Sequence, residues 1–281
     1  HTPELILNAD EIIKSPGIPD SVQIIKNAEE KRIGIIDEIE FASRFTNAKI
    51  IAITGSNGKT TTTLLTYHIL KKAGLNVAAG GNVGNSFALL VAENHFDYYV
   101  LEISSFQLDR IYTFSPYISV ITNITPDHLD RYNYSFENYI RSKISITKNQ
   151  KPNCSFIFNA DDEVTKKYIN ETNIKAKQYS FSLKEKVNEG AYIENNNIVF
   201  NINNKILKME LESLALQGKH NIYNSMAAGI ASRILEIRNE VIKESFSDYQ
   251  NVPHRLEFVA KVHGIEFIND SKATNVNSTW Y

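Results

Sequence analysis

Several features that would direct function are scarce in this chain of 281 residues. A single cysteine, Cys154, excludes an internal disulfide and is typical of a reducing compartment. Its apolar neighbours favour a buried structural thiol over a nucleophile. No apolar run is long enough to cross a bilayer, and a net charge of −2 provides no positive field to attract nucleic acid. We therefore expect no membrane and no nucleic-acid partner, and local groups must hold any anionic ligand.

A signal peptide, an initiator methionine and internal repeats are also missing from the sequence. We expect a cytoplasmic location, and the chain begins as if inside a longer protein. Its length suits about two domains. The apolar content of 42% is typical of a globular protein.

The most informative pattern that is present lies at residues 50–70, where an apolar strand, a glycine-flanked loop and a helical pattern follow one another. Gly55 and Gly58 allow a tight turn that aims main-chain N–H groups and a helix N-terminus at an anion. Lys59 adds a mobile positive charge, and the Thr60 hydroxyl is a suitable ligand for Mg²⁺. The pattern is shorter than the general phosphate loop, but it predicts a nucleoside triphosphate site rather than an ordinary turn with a surface lysine.

Further ionisable side chains follow predicted strands, at the edge where open α/β sheets bind ligands. Glu102 ends an apolar run, and a carboxylate one strand from a phosphate loop is a common second anchor for Mg²⁺. The alternative for Glu102 is a solvent-facing strand end. His128 follows the next apolar run, although a lone histidine is as often structural as functional. Lys143 lies in a predicted helix, where spacing alone favours a solvated lysine.

Secondary structure is predicted from the same patterns. Apolar runs without alternation at 98–103 and 118–121 predict parallel strands that are covered on both faces. Residues 15–19 predict a rigid turn with an N–H group near Gly17 open to a ligand, and taken alone this turn is a connection. Further predicted elements are strands at 33–36 and 155–159, helices at 136–147 and 221–236, hairpins at 191–210 and 256–268, and a helical segment at 8–13.

A family resemblance rests on seven blocks that occur in order along the chain. The blocks are Thr-Gly-Ser-Asn-Gly-Lys-Thr (54–60), Gly-Gly-Asn-Val-Gly (80–84), Leu-Glu-Ile-Ser-Ser-Phe-Gln (101–107), Asn-Ile-Thr-Pro-Asp-His-Leu-Asp (123–130), Gly-Lys-His-Asn-Ile-Tyr-Asn (218–224), Pro-His-Arg (253–255) and Asn-Asp-Ser-Lys-Ala-Thr-Asn (269–275). In this order they resemble the Mur ligase family. The blocks at 101–107 and 269–275 are the discriminating ones, and they resemble the members that add D-glutamate.

The resemblance implies an α/β fold with a P-loop-type central domain, which has a mostly parallel sheet and a smaller β-hairpin region. Partial Rossmann-like domains are expected to flank it at both ends. The implied boundaries are 1–37 for the tail of the N-terminal UDP-binding domain, 38–251 for the central ATP-binding domain and 252–281 for the start of the C-terminal ligase domain. We therefore expect an incomplete chain that lacks activity on its own, and a monomer.

The resemblance also implies an activity, namely ATP-dependent amide-bond formation in peptidoglycan precursor synthesis. D-Glutamate would be added to UDP-N-acetylmuramoyl-L-alanine through an acyl phosphate, with ATP, two Mg²⁺ ions and a carbamylated Lys143 in the site. The alternatives are a folylpolyglutamate synthase-like ligase and a non-catalytic ATP-binding fragment. The Ser-Lys-Ala-Thr-Asn and Ser-Ser-Phe-Gln blocks argue against the first alternative. The joint presence of Glu102, His128 and Lys143 argues against the second.

The family's site positions are carried over to matching residues of this sequence. The implied catalytic residues are Lys59, Glu102, His128 and Lys143. The implied metal ligands are Thr60, Glu102, His128 and Lys143. The implied ATP-binding residues are Gly55, Ser56, Asn57, Gly58, Lys59, Thr60, Thr61, His220, Asn221, Asn224, Arg255, Asp270, Lys272 and Thr274. The implied substrate-binding residues are Ser15, Pro16, Gly17, Asn82, Ser104, Gln107 and His128.

Overall fold

A computed structural model describes residues 3–250, 257–269 and 271 of the chain. Its first elements are α1 (Pro3–Ile6), β1 (Glu11–Ile13), α2 (Gln23–Glu30) and β2 (Gly34–Ile36). The strands β1 and β2 pair in parallel, and Ile25 and Ala28 of α2 pack on Ile35. The helical segment predicted at 8–13 is therefore wrong, because pairing with β2 draws its β-branched residues into a strand.

The remaining elements alternate between helix and strand before a run of strands and two final helices. In chain order they are α3 (Glu38–Ser43), β3 (Lys49–Thr54), α4 (Lys59–Lys72), β4 (Val77–Gly81), α5 (Phe87–Glu93), β5 (Tyr98–Glu102), α6 (Ser105–Leu108), β6 (Ile118–Ile121), α7 (Phe136–Ile144), β7 (Ser155–Asn159), α8 (Glu163–Glu171), β8 (Lys177–Ser182), β9 (Gly190–Glu194), β10 (Asn197–Ile202), β11 (Lys205–Glu210), α9 (Lys219–Ile234), α10 (Asn239–Asp248), β12 (Glu257–Val262) and β13 (Ile265–Asn269). Short 3₁₀ turns span Leu129–Tyr132, Ser145–Thr147 and Leu211–Ser213.

Within the described residues, the main sheet has nine strands in the order β4-β5-β3-β6-β7-β8-β9-β10-β11. Its pairs are parallel from β4 through β9, and β9, β10 and β11 form antiparallel pairs at one end. The architecture is α/β with a large, mostly parallel sheet, as the sequence predicts. The predicted hairpins at 191–210 are confirmed, but they extend the main sheet because β9 pairs directly with β8.

Both faces of the sheet are covered, which explains the continuous apolar runs of its central strands. Along β3, Ile51 and Ile53 face a core formed with α4, α9 and α10, whereas Ile50 and Ala52 face a second core formed with α3, α5 and α7. Cys154 is buried and free, as expected of a structural thiol. None of the helices in the described part of the chain is long and apolar enough to span a bilayer.

The other predicted elements agree with the structure in kind but differ in their limits. The helix predicted at 136–147 is α7 followed by the 3₁₀ turn Ser145–Thr147, and the helix predicted at 221–236 is α9, which begins at Lys219. The predicted strands at 33–36 and 155–159 are confirmed as β2 and β7. The hairpin predicted at 256–268 is confirmed as β12 and β13.

Candidate functional site

The loop between β3 and α4 has a backbone that two glycines make possible. Gly55 has φ +145°, and a Cβ there would lie 1.9 Å from the hydroxyl oxygen of Thr122. Gly58 is the residue before α4 and has φ +81°, a left-handed conformation that glycine adopts without strain. The loop therefore turns tightly and ends on the N-terminus of α4, as predicted for a phosphate cradle.

Hydrogen bonds fix this loop to the segment that follows β6. The backbone N–H groups of Ser56 and Asn57 donate to the carbonyl and the side-chain oxygen of Asn123, at 2.9 and 3.0 Å. The Ser56 hydroxyl donates to the carbonyl of Thr125 at 2.8 Å, and the Thr125 N–H returns a bond of 2.9 Å. Thr122 donates to the carbonyl of Asn57 at 2.6 Å. The sequence block at 123–130 carries no local signal of these bonds, because they join segments far apart in the chain.

A carboxylate from the neighbouring strand meets the first turn of α4. The Thr60 hydroxyl donates to Glu102 Oε2 at 2.7 Å, and Asn82 Nδ2 donates to Glu102 Oε1 at 2.8 Å. Glu102 is buried, at 3% exposure. Lys59 Nζ donates to the carbonyl of Ser56 at 2.8 Å, across the loop. Hydroxyl and carboxylate oxygens are the ligands that Mg²⁺ prefers, so the predicted pair of Thr60 and Glu102 fits that ion.

Lys143 of α7 reaches the same loop from the opposite side. Its side chain is buried, at 2% exposure, and Nζ donates to the carbonyl of Gly55 at 2.8 Å. Burial, and then the positive charge of Lys59, hold the pKa of Lys143 well below its usual range, although Asp127 and Glu102 act in the opposite direction. The environment therefore favours the neutral amine, which is the form that reacts with CO₂ to give a carbamate.

His128 precedes the 3₁₀ turn Leu129–Tyr132 and has a left-handed conformation with φ +50°. Its side chain is 56% exposed, and its Nε2 is 3.7 Å from Asp127 Oδ2. The imidazole packs 5.4 Å from the ring of Phe106, measured between ring centroids. Among the described residues, no group of three or more His, Cys, Asp or Glu side chains could hold a metal ion. The metal role of His128 stays a prediction.

The start of α9 packs against the phosphate loop. Asn224 Oδ1 accepts a 3.2 Å bond from the Thr62 hydroxyl, and a Cβ on Gly58 would lie 2.3 Å from the same oxygen. Asn224 Nδ2 lies 3.4 Å from Asn221 Oδ1. Burial lowers the pKa of His220 in the first turn of this helix. Of the residues predicted for the adenine side of ATP, Asn224 therefore contacts the loop, and Asn221 lies next to Asn224.

Several residues predicted to bind the sugar-nucleotide substrate lie around α6, whereas Asn82 of the same set is bonded to Glu102. Ser104 and Gln107 form the capping box of this helix, in which the Ser104 N–H donates to Gln107 Oε1 at 3.0 Å. Gln107 is buried, and its side-chain oxygen is already bonded to the Ser104 N–H. Arg131 lies 4.4 Å from the ring centroid of Phe106 and donates to the carbonyl of Pro16 at 3.1 Å. The turn that contains Pro16 is thereby attached to this group.

The last group of predicted ATP-binding residues lies outside the described residues. Its members are Arg255, Asp270, Lys272 and Thr274.

A mostly parallel α/β sheet with a phosphate loop before α4, and a carboxylate at the end of the adjacent strand, defines a P-loop-type nucleotide-binding domain. The Mur ligase middle domain matches residues 53–232. The chain belongs to the Mur ligase family.

Curated relatives match the chain over its whole length. The UDP-N-acetylmuramoylalanine--D-glutamate ligase of Christiangramia forsetii is 52% identical over 281 residues, which cover 100% of this chain and 63% of that protein. The protein of the same name from Bacteroides fragilis is 55% identical over 282 residues, with the same coverage. The chain thus spans less than two thirds of the length of these relatives.

Solved structures show the same fold at low sequence identity. MurF from Acinetobacter baumannii matches with a TM-score of 0.67 and 22% identity over 85% of this chain and 54% of that chain. The UDP-N-acetylmuramate-alanine ligase MurC from Thermotoga maritima matches with a TM-score of 0.59 and 22% identity over 94% of this chain and 60% of that chain.

Proposed function

We propose that the protein is an ATP-dependent ligase that adds D-glutamate to UDP-N-acetylmuramoyl-L-alanine, in cytoplasmic peptidoglycan precursor synthesis. The observation that carries the proposal is the buried Lys143 amine beside the phosphate loop, with Lys59 and Glu102 around the same loop. An ATP-binding module that only senses nucleotide has no need of this buried amine. The relatives named as D-glutamate ligases are 52% and 55% identical in sequence to this chain, which supports D-glutamate as the amine substrate.

The proposed reaction has two steps. The L-alanine carboxylate attacks the γ-phosphorus of ATP, which forms an acyl phosphate and releases ADP. The amine of D-glutamate then attacks the acyl carbon, and phosphate leaves with the bonding electron pair. In the first step two anions must approach, and like unit charges at about 4 Å repel by roughly 4 kcal/mol at an effective dielectric of 20. Lys59 and the N-terminus of α4 supply compensating positive charge.

Four side chains are proposed to hold two Mg²⁺ ions, and their chemistry suits that role. Thr60 and Glu102 would hold the first ion, while His128 and carbamylated Lys143 would hold the second. When bound, the ions would neutralise phosphate charge and act as Lewis acids. The carbamate forms when the neutral Lys143 nitrogen bonds to the carbon of CO₂ and loses a proton, and this replaces a neutral amine with an anion suited to a metal.

The proposed domain limits are 1–37, 38–251 and 252–281, and the protein is proposed to act as a monomer. The remaining residues are proposed to bind ATP and the sugar-nucleotide substrate. The loop residues hold the triphosphate, and the start of α9 holds the adenosine. Arg255, Asp270, Lys272 and Thr274 complete the ATP site. Ser15, Pro16, Gly17, Asn82, Ser104, Gln107 and His128 bind UDP-N-acetylmuramoyl-L-alanine.

The proposal is tested by phosphate release from the full-length protein supplied with ATP, Mg²⁺, UDP-N-acetylmuramoyl-L-alanine and D-glutamate. We expect release that requires all four components and a product whose mass equals the two substrates joined with loss of water. L-Glutamate is the control amine. Turnover with a folate and glutamate instead would support a folylpolyglutamate synthase-like ligase. ATP binding without turnover on either substrate set would support a non-catalytic module.

A further inference from the structure

Lys14 is a buried lysine outside the phosphate site, directly before the turn at 15–18. Its side chain is 5% exposed, and Nζ donates to the carbonyl of Ile18 at 2.7 Å. Nζ also pairs with Asp20 Oδ1 at 3.0 Å. Its backbone N–H donates to the carbonyl of Ile36 at 2.8 Å, which continues the pairing of β1 with β2. The ammonium group therefore connects the end of the turn, at Ile18, with Asp20.

The turn itself is closed and carries two carbonyl groups that are bonded to cations. The Ile18 N–H donates to the carbonyl of Ser15 at 3.0 Å, which makes a β-turn with Pro16 and Gly17 at its centre. Arg131 donates to the carbonyl of Pro16, as Lys14 does to that of Ile18. A Cβ on Gly17 would meet no atom within 4 Å. The carbonyls thus bind the protein, while the tip of the turn at Gly17 is open.

Charged residues extend this arrangement to the segment that follows α6. Arg110 pairs with Asp20 at 3.1 Å and with Glu29 at 2.8 Å. Burial acts to raise the pKa of Asp20, but hydrogen bonds from Lys14 and Arg110 outweigh it and lower the pKa. Lys14, Asp20, Arg110 and Glu29 form what we call the turn-bracing network. It connects the turn to the part of the chain that carries Ser104 and Phe106.

We propose that Lys14 is a positioning residue for the sugar-nucleotide substrate, since it holds the 15–18 turn, whose open tip is proposed to bind UDP-N-acetylmuramoyl-L-alanine. This inference rests on the proposed function. Burying an ammonium group is costly unless it is paired, and an apolar residue of similar volume commonly packs as well or better. Methionine could fill the same volume but could not make the bonds from Nζ to the Ile18 carbonyl and to Asp20, so the charge serves the placement of the turn.

The test compares Lys14→Met with Lys26→Met in the full-length protein. Lys26 lies on α2, close in sequence and exposed, and its substitution removes the same charge away from the turn. For Lys14→Met we expect the KM for UDP-N-acetylmuramoyl-L-alanine to rise by about tenfold or more, with kcat and the KM for ATP within about threefold. Lys26→Met leaves all three unchanged. An unchanged KM for the sugar nucleotide, or an equal rise for both substrates, would overturn the inference.

A UDP-binding measurement distinguishes failure of the positioning role from failure of the proposed function. Calorimetric binding of UDP requires no turnover, so a wild-type protein that binds UDP but forms no product fails the proposed function alone. In that case a loss of about tenfold in UDP affinity for Lys14→Met supports the positioning role, and equal affinity overturns it. A wild-type protein that binds no UDP overturns both. Should Lys14→Met fail to fold, Asp20→Asn replaces it. We then expect the KM for the sugar nucleotide to rise by about threefold with kcat and the KM for ATP unchanged, and an unchanged KM or an equal rise for both substrates overturns the inference.

Discussion

The Lys143 amine donates a 2.8 Å hydrogen bond to the carbonyl oxygen of Gly55, 88 positions earlier in the chain. The bond joins α7 to the phosphate loop inside the protein, where Lys143 is almost fully buried. Burying an amine costs free energy, and ionisable groups with shifted pKa values are concentrated at functional sites. The position of Lys143 therefore indicates a functional role.

Substitution of Lys143 by methionine will remove the amine and keep most of the side-chain volume. We expect kcat/KM for ligation to fall by about a thousandfold or more, since the group proposed to become a carbamate is lost. Stability will fall by less than about 1 kcal/mol, because a buried, weakly compensated amine is removed. Carbon-13 NMR of protein in labelled bicarbonate reports a carbamate signal in the wild type and none in the variant.

Lys151→Met is the matched control, since Lys151 is an exposed lysine after the same helix. Normal turnover and a normal carbamate signal are expected. Retention of more than about a tenth of wild-type kcat/KM by Lys143→Met would contradict a direct role for this residue.

Glu102→Gln will keep the shape of the side chain and remove its charge. The bonds from Thr60 and Asn82 can be partly retained, but a neutral amide is a poor ligand for Mg²⁺. We expect the Mg²⁺ concentration for half-maximal activity to rise by about tenfold or more. A magnesium titration of activity measures this, with the exposed Glu93→Gln as control. If both variants need the same Mg²⁺ concentration for half-maximal activity, Glu102 is not a metal ligand.

Gly58→Ala and Gly74→Ala separate backbone strain from steric contact. Both glycines have φ +81°, but a Cβ at Gly58 would meet Asn224 at 2.3 Å, whereas a Cβ at Gly74 meets no atom within 4 Å. We expect Gly74→Ala to cost about 1–2 kcal/mol of unfolding free energy and Gly58→Ala about 2–4 kcal/mol, with weaker ATP binding for the latter alone. Denaturant unfolding and nucleotide binding measure these effects.

The double variant Gly58→Ala/Asn224→Ala extends that comparison. Removal of the Asn224 side chain leaves the strain and relieves the contact, so the two changes should be non-additive in stability. Additive costs would mean that Asn224 has moved away and that the contact does not limit the loop.

Asp37 is expected to make stability depend on pH. Burial, aided by the charge of Glu38, raises the pKa of Asp37 from 3.8 to about 7, against an N–H bond from Ile39 and the charge of Lys14. The folded chain then keeps a proton that the unfolded chain releases near its ordinary pKa. The resulting stabilisation is full below about pH 4 and is lost as pH rises towards 7, with an upper limit of about 4 kcal/mol.

Asp37→Asn stays neutral and still offers an oxygen to the Ile39 N–H. The unfolding free energy of the variant should therefore gain on that of the wild type as pH rises from about 5 to about 8. Urea unfolding at several pH values measures the difference. A difference that is constant across this range would show that Asp37 is already ionised in the folded protein.

Much of the fold could be predicted because the relevant signals are local. The strand at 155–159 and the parallel strands around the loop follow from short apolar runs, whose two faces are both covered in the sheet. The helical prediction for 8–13 is wrong because the strand there depends on pairing with Gly34–Ile36, more than 20 residues away in the sequence. The strands β4 and β8 were not predicted for the same kind of reason, since Gly80, Gly81 and the polar residues of Lys177–Ser182 are weak strand signals.

The sequence by itself determined the phosphate loop, since two glycines, a lysine and a threonine between a strand and a helix prescribe that turn within a few residues. It also determined the family, through blocks that keep their order along the chain. Only the tertiary structure decided that Lys143 is buried and held at Gly55, that Lys14 is buried, and that Arg131 bonds to the carbonyl of Pro16. Burial and pairing arise between segments far apart in the chain. Spacing along the chain therefore cannot report how water is excluded from a side chain.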